Sequence, residues 1–364
     1  MQRSCCNAPS RTGGAPPLPS GEIVQTSYRG RQAGGQRSYL GASIAAASFL
    51  AAAAIVVQRR VRKAEHEHPP AGGFIDVDGV RLHYVERGKG QPLVLLHGNG
   101  SMIQDFETSG LLALAAERYR VIVFDRPGYG YSERPRSTVW TPAAQADLLH
   151  AALAQLGVPQ AIVLGHSWGA SVAVALALKH PATVAALVLA SGYYFPTLRA
   201  DVALMSVPGI PILGDLLRYT ISPLLGNLMW PGMLRKIFGP APVPPRFAQF
   251  PVGLALRPGQ LRASGAESAM MIPDAIALQA HYSELKMPVV IVAGEDDKLV
   301  TTDRQSARLH REIAHSTFHS FPGIGHMIHH SDPHSVLAAV DEAARAVAAS
   351  SSTAPRARLE ALAA

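Results

Sequence analysis

Ser167 stands in Gly165-His166-Ser167-Trp168-Gly169, between the apolar run Ala161 to Leu164 and the small-residue, helix-like run Ala170 to Leu178. A serine with glycine two residues to either side suits a sharp strand-to-helix turn, because side chains at the glycines would collide with neighbouring backbone. Such a turn lifts the hydroxyl into the open. A hydroxyl is a poor nucleophile at neutral pH, so it needs a base to take its proton and a carboxylate to orient that base. Among 15 histidines the best placed is His326, in Phe321-Pro322-Gly323-Ile324-Gly325-His326-Met327, on a glycine-flanked loop after the last predicted strand. His329, His330 and His334 fall where a helix begins and read as surface or capping residues. Together with His319 they show no metal-ligand spacing and no cysteine joins them, so no metal and no cofactor is expected. For the acid, Ile291-Val292-Ala293-Gly294-Glu295-Asp296-Asp297 offers three carboxylates just past a strand. Asp297 lies further into the loop and is the first choice, with Asp296 in reserve; the others would cap the helix starting near Thr301. A tetrahedral oxyanion needs preorganised N–H donors. Leu95-Leu96-His97-Gly98-Asn99-Gly100 supplies a loop in which the Asn99 N–H would pair with that of Trp168.

These residues need a scaffold that brings strand ends together. Phe74 to Val77 and Val80 to Glu86 flank Asp78-Gly79, a two-residue hairpin signal. Short apolar runs follow at 93–96, 121–124, 161–164, 184–189, 289–293 and, less purely, 317–321. Runs of this kind suit strands buried on both faces. Helix-like stretches near 104–117, 142–156, 169–180, 302–313 and 334–348 alternate with them, which predicts an α/β fold with a mostly parallel eight-stranded sheet and helices on both faces. The alternation breaks over about 193–286, a proline-rich insert read as a helical cap, because structureless loops of that length are rare in compact domains.

The N-terminal part is different in character. Residues 1–38, rich in Gly, Pro, Arg and Ser, read as a disordered basic leader. Residues 39–57 carry no charge and form a candidate transmembrane helix, although an alanine-rich one. The basic cluster Arg59, Arg60, Arg62 and Lys63 follows it and leans towards a cytoplasmic catalytic domain. Residues 58–73 read as a linker, 74–349 as the catalytic domain and 350–364 as a flexible tail. The formal charge of +7 is concentrated in residues 1–73, which hold nine basic against three acidic side chains; the remainder is nearly neutral, which excludes nucleic acid as a partner. Cys5 and Cys6 are adjacent in the leader and make no disulfide framework.

From 74 to 349 the chain resembles the α/β-hydrolase superfamily, in its branch of capped serine enzymes. The resemblance rests on the oxyanion loop, Asp125-Arg126-Pro127-Gly128-Tyr129-Gly130-Tyr131-Ser132, the serine turn, the acid loop and the histidine loop, all in family order. It implies a catalytic triad of Ser167, Asp297 and His326, oxyanion donors at Asn99 and Trp168, and a structural role for the Asp125 segment. Haloalkane dehalogenases and epoxide hydrolases of the family carry aspartate where Ser167 stands, so an acyl-enzyme is expected rather than an alkyl-enzyme. The cap, with five acidic and eight basic side chains among many apolar ones, suits a small hydrophobic ester as substrate, and a membrane anchor would hold the enzyme near such molecules. Three readings follow: a carboxylic ester hydrolase; the same triad used for C–C bond hydrolysis, perhydrolysis or acyl transfer; and a non-enzymatic small-ligand receptor, which would have no need of all three triad residues.

Overall fold

The computed structural model describes residues 29–197 and 200–363, with backbone alone for 29–38, 200–201 and 351–363. Cys5, Cys6 and most of the expected leader lie outside the described residues. Eight strands form one sheet: β1 (Gly73–Val77), β2 (Val80–Arg87), β3 (Gln91–Leu96), β4 (Tyr119–Phe124), β5 (Ala161–His166), β6 (Val184–Ala190), β7 (Val289–Gly294) and β8 (Thr317–Phe321). Their order is β1-β2-β4-β3-β5-β6-β7-β8. The β1–β2 hairpin turns at Asp78 and Gly79, both at positive φ, and β2 runs antiparallel to β4; every later pairing is parallel.

Strand periodicity explains why helices cover both faces. Val94, Leu96, Val163, Leu187 and Ile291 point into one core, with helices Pro142–Gln155 and Trp168–Lys179. Their neighbours Leu93, Leu95, Leu164, Val188 and Val290 point into the other, with helices Ile103–Ser109, Leu111–Ala116 and Pro333–Ala363. A residue and its successor on a strand face opposite sides, so continuous apolar runs are what a two-sided core requires. The weakest run, β8, is a mostly exposed edge strand. Between β6 and β7 the insert folds as helices, chiefly Ala200–Ser206, Leu213–Thr220, Ser222–Phe238 and Pro258–Gln279.

The N-terminal helix is longer than expected, Arg29–Glu67. Its Tyr39–Glu67 part is long and apolar enough to cross a membrane, the best window having a mean hydropathy of 2.2. It absorbs ten residues of the expected linker. Helix-forming Arg and Lys side chains and the pair Lys63–Glu67 one turn apart carry it onward until Pro69-Pro70 stops it. Ala53, Val57 and Ala64 are buried, and Glu65 pairs with Arg257 at 3.0 Å. The tail expected to be flexible continues the last helix through Ala363, in a segment rich in the strong helix formers alanine, arginine and leucine.

Candidate active site

The C-terminal ends of the parallel strands carry the residues singled out above, the edge at which open α/β sheets bind ligands. Ser167 follows β5 directly and precedes helix Trp168–Lys179, with φ 53° and ψ −120°. That backbone is strained for a residue with a side chain, at a cost of about 1–3 kcal/mol, and is held by neighbouring contacts. Its N–H donates to the Ala190 carbonyl at 2.9 Å. Gly169 is required because a Cβ there would strike the carbonyl oxygen of Leu96. The Ser167 hydroxyl makes no hydrogen bond among the described residues, to His326 or to any other group.

His326 and Asp297 are brought together: Nδ1 of His326 donates to Oδ2 of Asp297 at 2.7 Å, and both are buried. Oδ1 of Asp297 accepts from the N–H groups of Leu299 and Val300, each at 2.8 Å. The carboxylate is thus fixed on one side and orients the imidazole on the other. Asp296, by contrast, is exposed and accepts from Gly323 N–H at 2.9 Å, closing a turn of the histidine loop. Geometry therefore separates the two candidates in favour of Asp297. Gly294 lets the acid strand and histidine loop meet, since a Cβ there would strike the Ile324 and Gly325 carbonyls.

On the opposite side, the loop after β3 touches the serine: a Cβ on Gly98 would lie 3.1 Å from that of Ser167. Trp168 opens its helix, so its N–H has no intrahelical partner. The Asn99 side chain donates to the Ser264 carbonyl (3.2 Å) and Ser268 Oγ (3.1 Å), and its Oδ1 lies 2.9 Å from the Tyr129 hydroxyl, whose single proton it shares with Glu267. Its backbone N–H makes no hydrogen bond among the described residues.

A clamp absent from the sequence reading holds this loop to the cap. Arg126 is fully buried and pairs with Glu267 of helix Pro258–Gln279 at 2.5 and 3.1 Å, while also donating to the carbonyls of His97 (2.8 Å) and Gly98 (3.0 Å). Glu267 further accepts from Tyr129 (2.7 Å) and Gln145 (2.9 Å). Burial would raise the Glu267 carboxyl, but Arg126, Arg134 and Tyr129 together outweigh it and hold the group below its ordinary range. Burial first, and then Arg126, pushes His97 down to about 4. Neutral His97 accepts the Arg126 N–H at Nε2 (3.0 Å) and donates from Nδ1 to Gly98 (2.8 Å). The one available signal was a lone glutamate among small residues, Ala263-Ser264-Gly265-Ala266-Glu267-Ser268-Ala269. Asp125 is structural as expected, accepting from Ile103 N–H (2.9 Å), Tyr131 N–H (3.0 Å) and His83 (2.6 Å).

His329 and His330 correct the expectation that they lie at the surface. Both are buried, because helix Ile328–Ser331 turns inward against Phe106, Phe238 and Phe247 and finds a partner in Asp105. Burial would raise Asp105, yet His329 and His330 hold it well below the usual carboxylate range. His334 is exposed, as expected. A cavity of about 300 Å³ lies elsewhere, lined by Gln58, Glu65, Arg134, Arg257 and Arg262 among others and by none of the residues of the serine site.

The model of the alpha/beta hydrolase fold matches residues 91–333. The 2-hydroxymuconate semialdehyde hydrolase of Pseudomonas putida is 34% identical over 36% of this chain, and the chain spans about half of that relative's length, 48%. The 2-hydroxy-6-oxononadienedioate/2-hydroxy-6-oxononatrienedioate hydrolase of Paraburkholderia phymatum is 30% identical over 68% of this chain and 85% of its own length. Among solved structures, a bacterial membrane phospholipase A aligns over 87% of this chain and 98% of its own with a TM-score of 0.59, at 20% identity, a likeness of fold alone.

Proposed function

The chain belongs to the alpha/beta hydrolase fold family, and from that premise we propose that it is a hydrolase that cleaves a carboxylic ester of a small hydrophobic substrate through an acyl-enzyme on Ser167. The observation that carries this reading is the strained serine at φ 53° beside a buried His326–Asp297 pair. Ser167 Oγ attacks the ester carbonyl carbon while Nε2 of His326 takes its proton, and Asp297 holds the imidazole with Nδ1–H turned away. The N–H groups of Asn99 and Trp168 receive the oxyanion. His326 then returns the proton to the departing alcohol. Water attacks the acyl-enzyme with His326 again as base, releasing the acid and regenerating the serine. No cofactor enters these steps.

A second reading, hydrolysis of a C–C bond beside a carbonyl, is favoured by the two relatives named as hydrolases of 2-hydroxymuconate semialdehyde and of 2-hydroxy-6-oxononadienedioate/2-hydroxy-6-oxononatrienedioate. The ester is preferred here because Arg126, the buried guanidinium at the oxyanion loop, is already taken by Glu267 and offers no free partner to a substrate carboxylate. Membrane association through the N-terminal helix, with the catalytic domain on the cytoplasmic side, belongs to the same proposal. It is supported by exposed apolar side chains on the cap, including Leu204, Ile212, Leu216, Leu225 and Leu228. Nucleic acid has no part in it.

The test is a panel of p-nitrophenyl esters of rising chain length, run beside 2-hydroxymuconate semialdehyde, on the full chain in detergent and on Ser167→Ala. Ester turnover in the parent that falls on the order of 10⁴-fold or more in Ser167→Ala is expected. Fluorophosphonate labelling of the parent but not Ser167→Ala, with turnover of the semialdehyde alone, transfers the assignment to C–C hydrolysis. A folded parent that is not labelled refutes both and leaves a small-ligand receptor. Alkaline carbonate extraction tests the anchor, and release of the full chain into the supernatant refutes it.

A further inference from the structure

Directly behind the histidine loop, three buried side chains converge, each with at least one polar atom that lacks a hydrogen-bond partner. Asp105 comes from helix Ile103–Ser109, His166 is the last residue of β5, and His329 lies three residues after His326. All are buried, and one ligand atom from each lies within 4.8 Å of the others. Oδ2 of Asp105, Nδ1 of His166 and both ring nitrogens of His329 lack a hydrogen-bond partner. Each such orphan costs about 1–3 kcal/mol when buried, so a native protein rarely leaves several at one point.

The outer contacts fix which atoms face inward. Nε2 of His166 donates to the His326 carbonyl at 3.1 Å, which leaves Nδ1, the nitrogen without a hydrogen-bond partner, as a bare lone pair. Nε2 of His330 donates to Oδ1 of Asp105 at 2.7 Å, which turns the other oxygen inward. Nε2 of His329 sits 3.1 Å from that oxygen but out of line for a hydrogen bond. Two imidazole nitrogens and a carboxylate oxygen, with an imidazole N–H held by a backbone carbonyl and the carboxylate held by a neighbouring donor, are the donor set and outer support of a transition-metal site. Ligand bonds of about 2.0–2.2 Å in a tetrahedron place ligand atoms about 3.3–3.6 Å apart. The Asp105–His329 pair, at 3.1 Å, is close to that spacing, and the three ligand atoms all lie within 4.8 Å of one another.

We propose that Asp105, His166 and His329 bind a divalent transition-metal ion, zinc by donor set, with water in the fourth position. The ion ties together the helix after the oxyanion loop, the residue preceding the serine and the segment following His326. It acts as a structural pin: through His166 it fixes the His326 carbonyl, and it touches no substrate. This differs from the histidine grouping considered from sequence, since Asp105 and His166 are remote from His329 along the chain.

The test uses the full chain in detergent, purified without chelator and without a histidine tag. Elemental analysis is expected to find close to one zinc per chain, and Asp105→Asn and His329→Gln are expected to lose it. Because either variant can fail to fold, the parent is also stripped with chelator and titrated with cobalt, which is expected to give visible d–d absorption and restore the Tm lost on stripping. A stripped parent that takes up neither zinc nor cobalt at micromolar free metal, with unchanged Tm, overturns the proposal and leaves water in the pocket. Fluorophosphonate labelling of the same samples reports Ser167 independently, so failure of the metal site and failure of the hydrolase reading are told apart.

Discussion

Glu267→Gln removes one charge from the centre of the clamp without changing shape, and its cost can be worked from the contacts. Both Glu267 oxygens accept from Arg126; one also accepts from Gln145 and the other from Tyr129. Whichever oxygen becomes an amide, its N–H₂ faces donors, and the fully buried Arg126 loses its counter-charge with Arg134 still 3.8 Å from the remaining position. Breaking a buried ion pair on one side costs about 3–5 kcal/mol. At about 2–4 °C per kcal/mol for a domain of this size, Tm falls by roughly 10 °C. Helix Pro258–Gln279 also carries Ser264 and Ser268, which hold the Asn99 side chain, so kcat for an ester falls as the oxyanion loop loosens. Thermal unfolding in detergent and ester kinetics read the two effects, with Glu284→Gln as an exposed control. Arg126, Arg134 and Tyr129 together hold the Glu267 carboxyl below 4.5, so the clamp's contribution is present above that pH and is lost only as pH falls through the depressed value. A Glu267→Gln protein that melts within about 2 °C of the parent at neutral pH would refute the argument, because no buried unpaired guanidinium is that cheap.

Two further outcomes follow from the same geometry. Asp297→Asn is expected to lower kcat on a p-nitrophenyl ester by about 10³–10⁴-fold, since an amide cannot hold His326 in the productive tautomer; Asp296→Asn, at an exposed turn, should change kcat less than about threefold, and the reverse order would reassign the acid. His97, pushed down from 6.5 to about 4, contributes stability in full above pH 6.5 and loses it as pH falls towards 4, about 3 kcal/mol in all; urea unfolding at stepped pH should show this slope, and His97→Gln should flatten it.

The strands were legible because a two-sided core writes itself as continuous apolar runs, and even β8 kept enough pattern to be placed. Ser167, Asp297 and His326 sit on short loops at strand ends, where local glycine spacing reports their environment. What stayed hidden depends on partners far apart in the chain. Arg126 meets Glu267 across 141 residues and Asp105 meets His330 across 225, and no local periodicity records such distances. The same blindness made His329 and His330 look like surface residues, since the apolar neighbours that bury them lie on other elements. The N-terminal helix ran past its apolar stretch because charged residues propagate a helix as well as apolar ones do.

That extension bears on how a soluble form should be cut. The chain divides between Phe49 and Leu50, and the helical residues from Leu50 onward belong with the catalytic body. Trimming to the first strand at Gly73 would strip Ala64 from its contact with Gly253 and the aromatic cluster of Phe238, Phe247 and Phe250, and would leave Arg257 without Glu65. The uncovered face would be apolar and would invite self-association, with misleading assays as the result. A truncation that begins near Leu50 keeps that face covered, so the helix from Leu50 onward serves as part of the hull as well as of the mooring line.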